Sequence, residues 1–381
     1  MHTLQLPTLC ALLLTSLALG ACEGNDPPAD DAWTWELPAH FPKPIIPADN
    51  PMTREKVELG RMLFYDPSLS RDGSVSCASC HHQDKAFSDG VSLPTGIDGE
   101  LITRNSMALM NLAWNTSYTW GNPYIKTLEE HALIPLFTTH PTEMGNAESF
   151  DLEGRVRGAR DYVARFGEVF PSDADPITTA NIVRAIGAFQ RTLVSSDAAY
   201  DRYLQGDRDA LTPAAKRGME LFFSEKFECF HCHGGVNFTS AMNHEGQIEA
   251  TNAFHNTGLY NLDERGAYPA SDQGLFDVTS KEGDFGKFRA PSLRNIAVTA
   301  PYMHDGSVAT LEDGIEIYAR GGRFIEEGPH AGDGAENPNK SSFVLGFRLR
   351  DTELDDLVAF LHSLTDESFL TNPDFSSPFE D

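Results

Sequence analysis

The sequence is poor in positive charge. Lysine and arginine together number 29 in 381 residues, against 56 aspartates and glutamates, and the net charge is −27. Proteins that bind nucleic acid or anionic membranes electrostatically need basic patches that neutralise phosphates. The composition therefore argues against both as partners, and most of the acidic residues are interpreted as a solvated surface that keeps the protein soluble.

Cysteine is also scarce, with six residues in the chain. Cys10 lies inside an N-terminal apolar run and Cys22 lies at its end, while the other four belong to two C-x-x-C motifs. No cysteine is left over for a structural disulfide. Apolar cores must therefore stabilise the fold, and the chain is long enough for two domains that each have one.

The apolar run of Leu9–Ala21 is too short to span a bilayer comfortably, and residues 1–21 are interpreted as a secretory signal. Its end, Leu19-Gly20-Ala21-Cys22, resembles a bacterial lipobox, in which Cys22 would become the lipidated first residue; ordinary signal cleavage is the alternative. Glu23 follows, and by resemblance to sorted lipoproteins this favours the outer membrane. Residues 22–50 are rich in Pro, Asp and Ala and predict a flexible tether.

Two similar five-residue motifs dominate the rest of the chain: Cys77-Ala-Ser-Cys80-His81 and Cys229-Phe-His-Cys232-His233. C-x-x-C-H is the attachment motif of c-type haem, in which the thiols of one turn bond the porphyrin and the histidine binds its iron. A single C-x-x-C could also be a redox or zinc pair. Two copies, each followed by histidine, predict two covalent haem c groups. Because this attachment is completed outside the cytoplasm, the motifs also indicate export.

The two motifs lie in halves that repeat a pattern. A segment with helical apolar spacing precedes each motif, Leu59–Phe64 in the first half and Arg217–Phe222 in the second. Later in each half a capping-box sequence predicts a helix start, at Thr127–Glu130 and at Thr310–Asp313. A duplicated haem domain explains this repetition.

The predicted fold is mainly α, with two pseudo-duplicated, cytochrome c-like haem domains and long loops. Gly234–Ala290 is rich in Gly, Asn and Asp and is expected to be mostly loop. Further helices are predicted at Ala180–Ser195, Pro213–Phe223 and Thr352–Leu364. The expected domains are an N-terminal haem domain at 51–206, a C-terminal haem domain at 207–366 and a tail at 367–381.

Several runs resemble the bacterial di-haem cytochrome c peroxidase and MauG superfamily, and the similarity extends from about Phe41 to Leu364. The runs most specific to the superfamily, beside the first haem motif, are Leu59–Ser70, Phe288–Asn295 and Ala300–Gly306. Within it the sequence is most similar to MbnH-like enzymes, on the runs Pro47–Met52, Trp120–Pro123 and Ile317–Gly322. The resemblance implies a haem-dependent oxidoreductase that reacts with hydrogen peroxide.

The resemblance also implies how the two irons are ligated. Tyr318 stands where the peroxidases carry a methionine on the second haem. A thioether raises the reduction potential, which suits a haem that collects electrons, whereas a phenolate stabilises oxidised iron. Tyrosine here favours MauG- and MbnH-type chemistry; alternatively Tyr318 is a core residue and Met303 is the ligand. On the first haem Ile97 replaces a family histidine that blocks the iron, so an open iron is expected.

Three further residues gain roles from the resemblance. Glu143 would move a proton between the oxygens of bound peroxide, and burial would raise its pKa towards working pH; a solvated loop glutamate is the alternative. His131 stands where the family has a glutamine, and it is either a second acid–base group or a structural residue. Trp120 would lie between the haems and pass oxidising equivalents, unless it only packs in the core.

A calcium ion is the third cofactor that the resemblance implies. Its protein ligands would be the side chain of Asn105 and the carbonyl oxygens of Thr299 and Pro301, which suits a hard cation. Arg289 and Arg294 would pair with haem propionates, although structural salt bridges are the alternative.

Together these expectations describe a periplasmic enzyme, anchored through Cys22, that uses hydrogen peroxide to oxidise a tryptophan of a partner protein by long-range electron transfer. In MbnH that partner is an MbnP-like copper-binding protein. Phe227 replaces the surface tryptophan through which MauG passes oxidising equivalents, so the exit route stays open. The alternative is a cytochrome c peroxidase that takes electrons from a small cytochrome c. A pure electron carrier is disfavoured by an open iron beside Glu143.

Overall fold

The computed structural model describes residues 32–147, 150–248 and 253–379. The predicted signal segment and Cys22 lie outside these ranges. Within them, no helix combines the length and the apolar character that crossing a bilayer requires.

The described residues form twelve α-helices joined by long irregular segments, and strands are few and short. The helices are α1 (Arg54–Tyr65), α2 (Leu128–Phe137), α3 (Leu152–Gly158), α4 (Tyr162–Val169), α5 (Thr179–Thr192), α6 (Ala199–Leu204), α7 (Pro213–Phe222), α8 (Cys229–Cys232), α9 (Phe276–Thr279), α10 (Leu311–Arg320), α11 (Asp351–His362) and α12 (Glu367–Thr371). The strands are β1 (Phe254–His255), β2 (Phe288–Arg289), β3 (Phe324–Ile325) and β4 (Gly332–Asp333). β1 pairs with β2 and β3 with β4, both antiparallel.

The prediction of a mainly helical protein is confirmed, and so are the three helices predicted from apolar periodicity, which are α5, α7 and α11. Between residues 234 and 290 the described part is mostly irregular, as expected, and holds only β1, β2, α9 and a single 3-10 turn. Residues 205–212 form turns between α6 and α7 at the predicted boundary. The domain limits themselves stay a prediction.

The same helix crossing occurs in both halves. α1 crosses α5 at Gly60, where a Cβ would lie 1.8 Å from the carbonyl oxygen of Ala185. α7 crosses α11 at Gly218, where a Cβ would lie 1.8 Å from the carbonyl oxygen of Asp356. Only glycine permits backbones to approach so closely. In each half, the helix that precedes the C-x-x-C-H motif is thereby held against a longer helix that follows it.

Capping fixes where the two site-bearing helices begin. Thr127 Oγ1 accepts a hydrogen bond from the Glu130 amide at 3.1 Å, and the Glu130 carboxylate accepts from the Thr127 amide at 3.2 Å. At α10, Thr310 Oγ1 accepts from the Asp313 amide at 3.1 Å. Both predicted helix starts are confirmed. One consequence is that His131 on α2 and the tyrosine on α10 each occupy a defined helical position.

Candidate functional site

The first C-x-x-C-H motif lies on a tight turn. Cys77–Ser79 form one turn of 3-10 helix, and the loop that follows brings the carbonyl oxygen of Phe87 to 2.6 Å from Nδ1 of His81. A carbonyl only accepts hydrogen bonds, so Nδ1 carries the proton and Nε2 keeps the lone pair that can bind iron. Burial lowers the pKa of His81, which keeps the imidazole neutral as a ligand must be.

The second motif has the same arrangement. Nδ1 of His233 lies 3.1 Å from the Phe238 carbonyl oxygen and 3.2 Å from that of Pro291, so Nε2 is again the free nitrogen. Burial lowers the pKa of His233 to about 4. Burial also raises the pKa of the Cys229 thiol to about 12 and that of Cys232 to about 11.

The motif residues do not form a zinc site. Burial raises the pKa of the Cys77 thiol to about 12 and that of the Cys80 thiol to about 11. In the part of the chain that the structure describes, neither motif brings its thiols and imidazole together around one point; the one group that could hold a metal is Glu225, Glu228 and His231. The geometry therefore fits haem attachment better than zinc.

One cavity of about 690 Å³, with largely apolar walls, connects the two motifs. The structure brings all but one of the residues predicted from the sequence to its wall. Those lining it are Cys77, Cys80, His81, Asn105, Trp120, His131, Glu143, Cys229, Cys232, His233, Arg289, Thr299, Pro301 and Tyr318.

Glu143 is held in the cavity wall by a close backbone approach. A Cβ on Gly96 would lie 1.8 Å from the carbonyl oxygen of Thr142, and the Ile97 amide donates to the Glu143 carbonyl at 3.0 Å. Ile97 itself contacts Gly145 and does not line the cavity. Burial raises the pKa of Glu143 to about 7. A carboxyl group with this pKa can both accept and return a proton near neutral pH.

His131 lies one turn into α2 and also lines the cavity. Burial, together with the nearby His81 and Arg289, lowers its pKa to about 4. Its ring makes no hydrogen bond with any residue that the structure describes. His131 is therefore a neutral imidazole near neutral pH, with both nitrogens available to whatever fills the cavity.

Trp120 is fixed between two segments of the cavity wall. Its indole Nε1 donates to the Asn105 carbonyl at 2.9 Å, and its own carbonyl accepts from the Arg289 amide at 2.8 Å. It is 9% exposed and packs in an apolar cluster with Tyr260 and Phe288. The indole thus borders the cavity that both motifs share.

Arg289 is a buried cation without a counter-charge. Its guanidinium donates to the Thr119 carbonyl at 3.2 Å and lies 3.1 Å from the sulfur of Met107, but no carboxylate within the described ranges pairs with it. Burial lowers its pKa to about 10, so it is still charged at neutral pH. An unpaired buried charge is costly. A haem propionate at the cavity wall would supply the missing anion, so Arg289 fits the predicted cofactor.

For Arg294 the structure favours the alternative, a structural salt bridge, over a haem propionate. Arg294 is fully buried, and its two terminal nitrogens donate to the Asp201 carboxylate at 2.8 and 2.9 Å, while Nε donates to the Val236 carbonyl at 2.8 Å. It does not line the cavity. Its charge is therefore paired with Asp201, away from the cavity wall where a propionate would lie. Its role is to fix the Val236 loop that follows His233.

Tyr318 reaches the cavity from the last turn of α10. Its hydroxyl has no hydrogen-bond partner among the described residues. Burial, with smaller contributions from the thiols of Cys232 and Cys229, raises its pKa. A phenolate there would need a nearby cation, which a ferric iron would provide. Met303 also lines the cavity, so ligation by Tyr318 stays a prediction.

The three predicted calcium ligands all line the same cavity. The amide nitrogen of Asn105 donates to the carbonyls of Val91 and Ser92 at 2.8 and 3.3 Å, which leaves its Oδ1 as an acceptor. Within the described ranges, no group donates to that oxygen or to the carbonyl oxygens of Thr299 and Pro301. Three uncommitted oxygens fit a hard cation, and the calcium ion stays a prediction.

Two polar residues of the cavity wall escaped sequence reasoning. His255, on β1, has a buried Nε2 without a partner in the described structure, and burial lowers its pKa. It lies in a stretch without periodicity, so no sequence signal could have found it. Gln190, on α5, has a buried Oε1 that is also unpartnered. Gln190 follows Ile186 by one helical turn, so the sequence predicts that both lie on the same face of α5. The sequence does not predict which residues of other segments surround Gln190.

Comparisons with known proteins agree with this geometry. The family model described as di-haem cytochrome c peroxidase (CCP_MauG) matches residues 54–209. The methylamine utilization protein MauG of Methylorubrum extorquens is 34% identical over 374 residues, covering 96% of each chain. Cytochrome-c peroxidase IdrP1 of a Pseudomonas species is 34% identical over 388 residues, covering 98% of this chain and 96% of its own.

A solved structure, described as a MauG-like protein associated with microbial copper homeostasis, is 50% identical, with a TM-score of 0.89. The match covers 91% of this chain and 99% of that one. The family implies two haem c groups, and the two C-x-x-C-H motifs, the apolar cavity and the unpaired Arg289 fit them. The chain belongs to the di-haem cytochrome c peroxidase family and is a haem-dependent oxidoreductase.

Proposed function

We propose that this protein is a periplasmic di-haem enzyme that uses hydrogen peroxide to oxidise a tryptophan of a partner protein by long-range electron transfer. The observation that carries the proposal is Tyr318, whose unpartnered hydroxyl lines the cavity beside the second pair of haem thiols. A tyrosine ligand would favour oxidised iron over the reduced iron that an electron-collecting peroxidase needs.

The first haem site has the groups that peroxide cleavage requires. When bound, haem supplies the redox centre at which peroxide is reduced. Glu143 takes the proton of one peroxide oxygen and delivers it to the other, which its pKa of about 7 allows. His131 stays neutral and hydrogen-bonds to the substrate. His81 would hold the first haem, and Ile97, which has no group that can bind iron, lies off the cavity wall.

Trp120 would connect the two haem sites. It borders the shared cavity, and its hydrogen bond to Asn105 fixes the ring next to the proposed calcium site. An oxidisable ring at this position shortens the gap between the two haem sites that each electron has to cross.

Calcium, bound through Asn105, Thr299 and Pro301, would hold this region rigid. Removing it with a chelator should then slow electron exchange between the haems without releasing either of them.

The partner is inferred from a relative. The MauG-like protein that is 50% identical is described as associated with microbial copper homeostasis. An MbnP-like, tryptophan-bearing copper-binding protein is therefore the substrate that we propose.

Secretion with lipidation of Cys22 at the outer membrane belongs to the same proposal, as do two duplicated haem domains at 51–206 and 207–366. Cell fractionation of a Cys22→Ser variant tests the anchor, because the variant cannot be lipidated and should leave the outer-membrane fraction in which the wild type is expected.

The second candidate is a cytochrome c peroxidase that draws electrons from a small cytochrome c. It is favoured by relatives that carry that activity in their names, such as IdrP1 and the cytochrome c551 peroxidase of Pseudomonas aeruginosa, which is 32% identical over 315 residues.

One experiment separates the two candidates. Purified enzyme and peroxide are mixed either with reduced cytochrome c or with the candidate partner protein encoded beside it. Addition of oxygen to one partner tryptophan, seen by peptide mass spectrometry, supports the proposal. Rapid cytochrome oxidation with an unchanged partner mass contradicts it. The partner with that tryptophan replaced by phenylalanine is the matched control.

A further inference from the structure

Three of the four tryptophans form a continuous series on one side of the protein. The ring centroids of Trp114 and Trp35 are 6.1 Å apart with planes inclined at 60°, and those of Trp35 and Trp33 are 6.3 Å apart at 78°. The fourth, Trp120, borders the cavity. Rings in such contact exchange electrons readily, because the electron crosses almost no gap at each step.

The inner end of the series adjoins the haem cavity. Trp114 is fully buried and ends a 3-10 turn whose first residue, Leu112, lines the cavity, as does the following Asn115. Its ring belongs to the apolar cluster that Val236, from the loop after His233, also contacts. Trp114 is therefore flanked in the chain by two residues of the cavity wall, Leu112 and Asn115.

The outer end lies in the N-terminal segment. Trp35 and Trp33 are half-buried, and the Trp33 amide donates to the Met52 carbonyl at 3.1 Å, which fixes the segment against the start of α1. Both rings pack on the core of the first half and still present part of their surface to solvent. The series thus runs from the cavity wall to the protein surface.

The indole nitrogens suit the transfer of electrons without protons. Nε1 of Trp114 donates to the Pro42 carbonyl at 2.9 Å, and a peptide carbonyl is too weak a base to take the proton. Nε1 of Trp33 is buried and has no partner in the described structure. An oxidised ring at either position keeps its proton, so it remains a strong oxidant that the next donor can reduce.

Ordinary core packing does not account for this choice of residues. The corresponding aromatic cluster of the second half is built mainly from phenylalanines, among them Phe222, Phe238 and Phe360. Phenylalanine fills space as well as tryptophan does, but its ring is far harder to oxidise.

We propose that Trp114, Trp35 and Trp33 form a relay that carries oxidising equivalents from the haem cavity to the surface of the N-terminal segment. Each peroxide takes up two electrons and two protons and becomes two waters. Each electron passes inward along the three indoles, one ring at a time, and is replaced at Trp33 by one from the external donor. The relay rests on the proposed function for the identity of that donor, a partner tryptophan.

Without a donor the same electrons come from the relay itself. An outer indole then loses two electrons and two protons and gains one oxygen atom from water. The overall reaction converts one tryptophan and one hydrogen peroxide into one oxygenated tryptophan and one water. The oxygenated tryptophan shows which residues the oxidising equivalents have reached, and it can be detected at each residue separately.

The test maps oxygenated residues by peptide mass spectrometry after the complete di-haem enzyme has reacted with peroxide alone. We expect oxygen on Trp33 and Trp35, loss of the Trp33 signal in Trp35→Phe, and loss of both signals in Trp114→Phe. Tyr124→Phe is the matched control, because Tyr124 is an exposed ring outside the series. It should leave the pattern unchanged. Glu143→Gln enzyme should show no oxygenation, which excludes direct attack by peroxide.

Oxygenation of Trp33 that persists in Trp35→Phe, or that is no greater than oxygenation of Tyr124, would overturn the relay. Trp35→Phe keeps a ring at a half-buried position, so the result does not depend on whether the more buried Trp114→Phe variant folds. The readout needs no partner. The two reactions are run separately, one with the partner and one with peroxide alone. A partner that stays unmodified, with Trp33 labelled by peroxide alone, would refute the proposed function and leave the relay standing. A modified partner, with no relay tryptophan labelled by peroxide alone, would do the reverse.

Discussion

Replacing Glu143 by glutamine should make the enzyme more stable and less active, with opposite dependences on pH. Burial raises the pKa of this carboxyl group from 4.5 to about 7, with no opposing partner. At roughly 1.4 kcal/mol per unit, ionised Glu143 costs the folded protein at most about 3 kcal/mol. Glutamine has nearly the same shape and never ionises, so it removes this cost.

The sign of the stability effect follows from linkage. The pKa of Glu143 is 4.5 in the unfolded protein and about 7 in the folded protein. The stability contributed by the protonated carboxyl is therefore fully present below pH 4.5 and is lost as the pH rises through about 7. Glu143→Gln should therefore match the wild type at about pH 4.5 and exceed its free energy of unfolding by up to about 3 kcal/mol at about pH 8. Denaturant titrations of both proteins at the two pH values measure this.

Activity should change in the other direction. The wild-type rate of reaction with peroxide should rise as pH increases through about 7, because the carboxylate must accept the first proton. Loss of a general acid–base group typically costs about 10²–10⁴-fold. Stopped-flow mixing with peroxide should show that loss in Glu143→Gln, together with loss of the pH dependence. Glu100→Gln, which removes an exposed carboxylate on the neighbouring loop, is the control. A variant that is less stable at high pH, or that keeps the wild-type pH profile, would refute the reasoning.

Three other outcomes are expected. Tyr318→Met should raise the reduction potential of the second haem in a spectroelectrochemical titration, and an unchanged potential would show that the tyrosine is not on the iron. Gly60→Ala should lower the free energy of unfolding by about 1–3 kcal/mol or more, because its Cβ meets a backbone oxygen, whereas Gly167→Ala in α4, with nothing within 4 Å, should raise it by up to about 1 kcal/mol. Arg294→Met should cost about 3–5 kcal/mol by leaving the buried Asp201 carboxylate without its guanidinium partner, and Asp201→Asn in the same chain should recover part of this in thermal melts.

Sequence reasoning succeeded where the signal is local. The thiols and histidine of each haem motif occupy one turn, so the spacing alone fixes their relation. Helix starts were equally local, since Thr127 and Thr310 cap with residues three positions away. The resemblance to a known family then predicted residues far apart in the chain, such as Glu143 and Tyr318, which the structure places on one cavity.

The two arginines show where such reasoning ends. Arg289 and Arg294 lie in one short run of the superfamily pattern, in a segment without helical or strand periodicity. Nothing in the sequence says that Arg289 borders the cavity without a counter-charge while Arg294 pairs with Asp201, which lies in the preceding half of the chain. The fold alone brings that carboxylate into contact, and it also exposes the unpartnered Nε2 of His255 to the cavity.

The same burial favours a neutral imidazole for His131, whose role stays a prediction. It lowers the pKa of His131 to about 4 and raises that of Glu143 to about 7, so at neutral pH only the carboxyl group exchanges a proton. His131 then acts as a neutral hydrogen-bonding group, a role that an amide can also fill. His131→Gln should therefore lower the rate with peroxide modestly and leave the midpoint of the pH profile at about 7. A profile that loses this midpoint would assign the proton to the imidazole instead, and Glu143 would then be the structural residue of the pair.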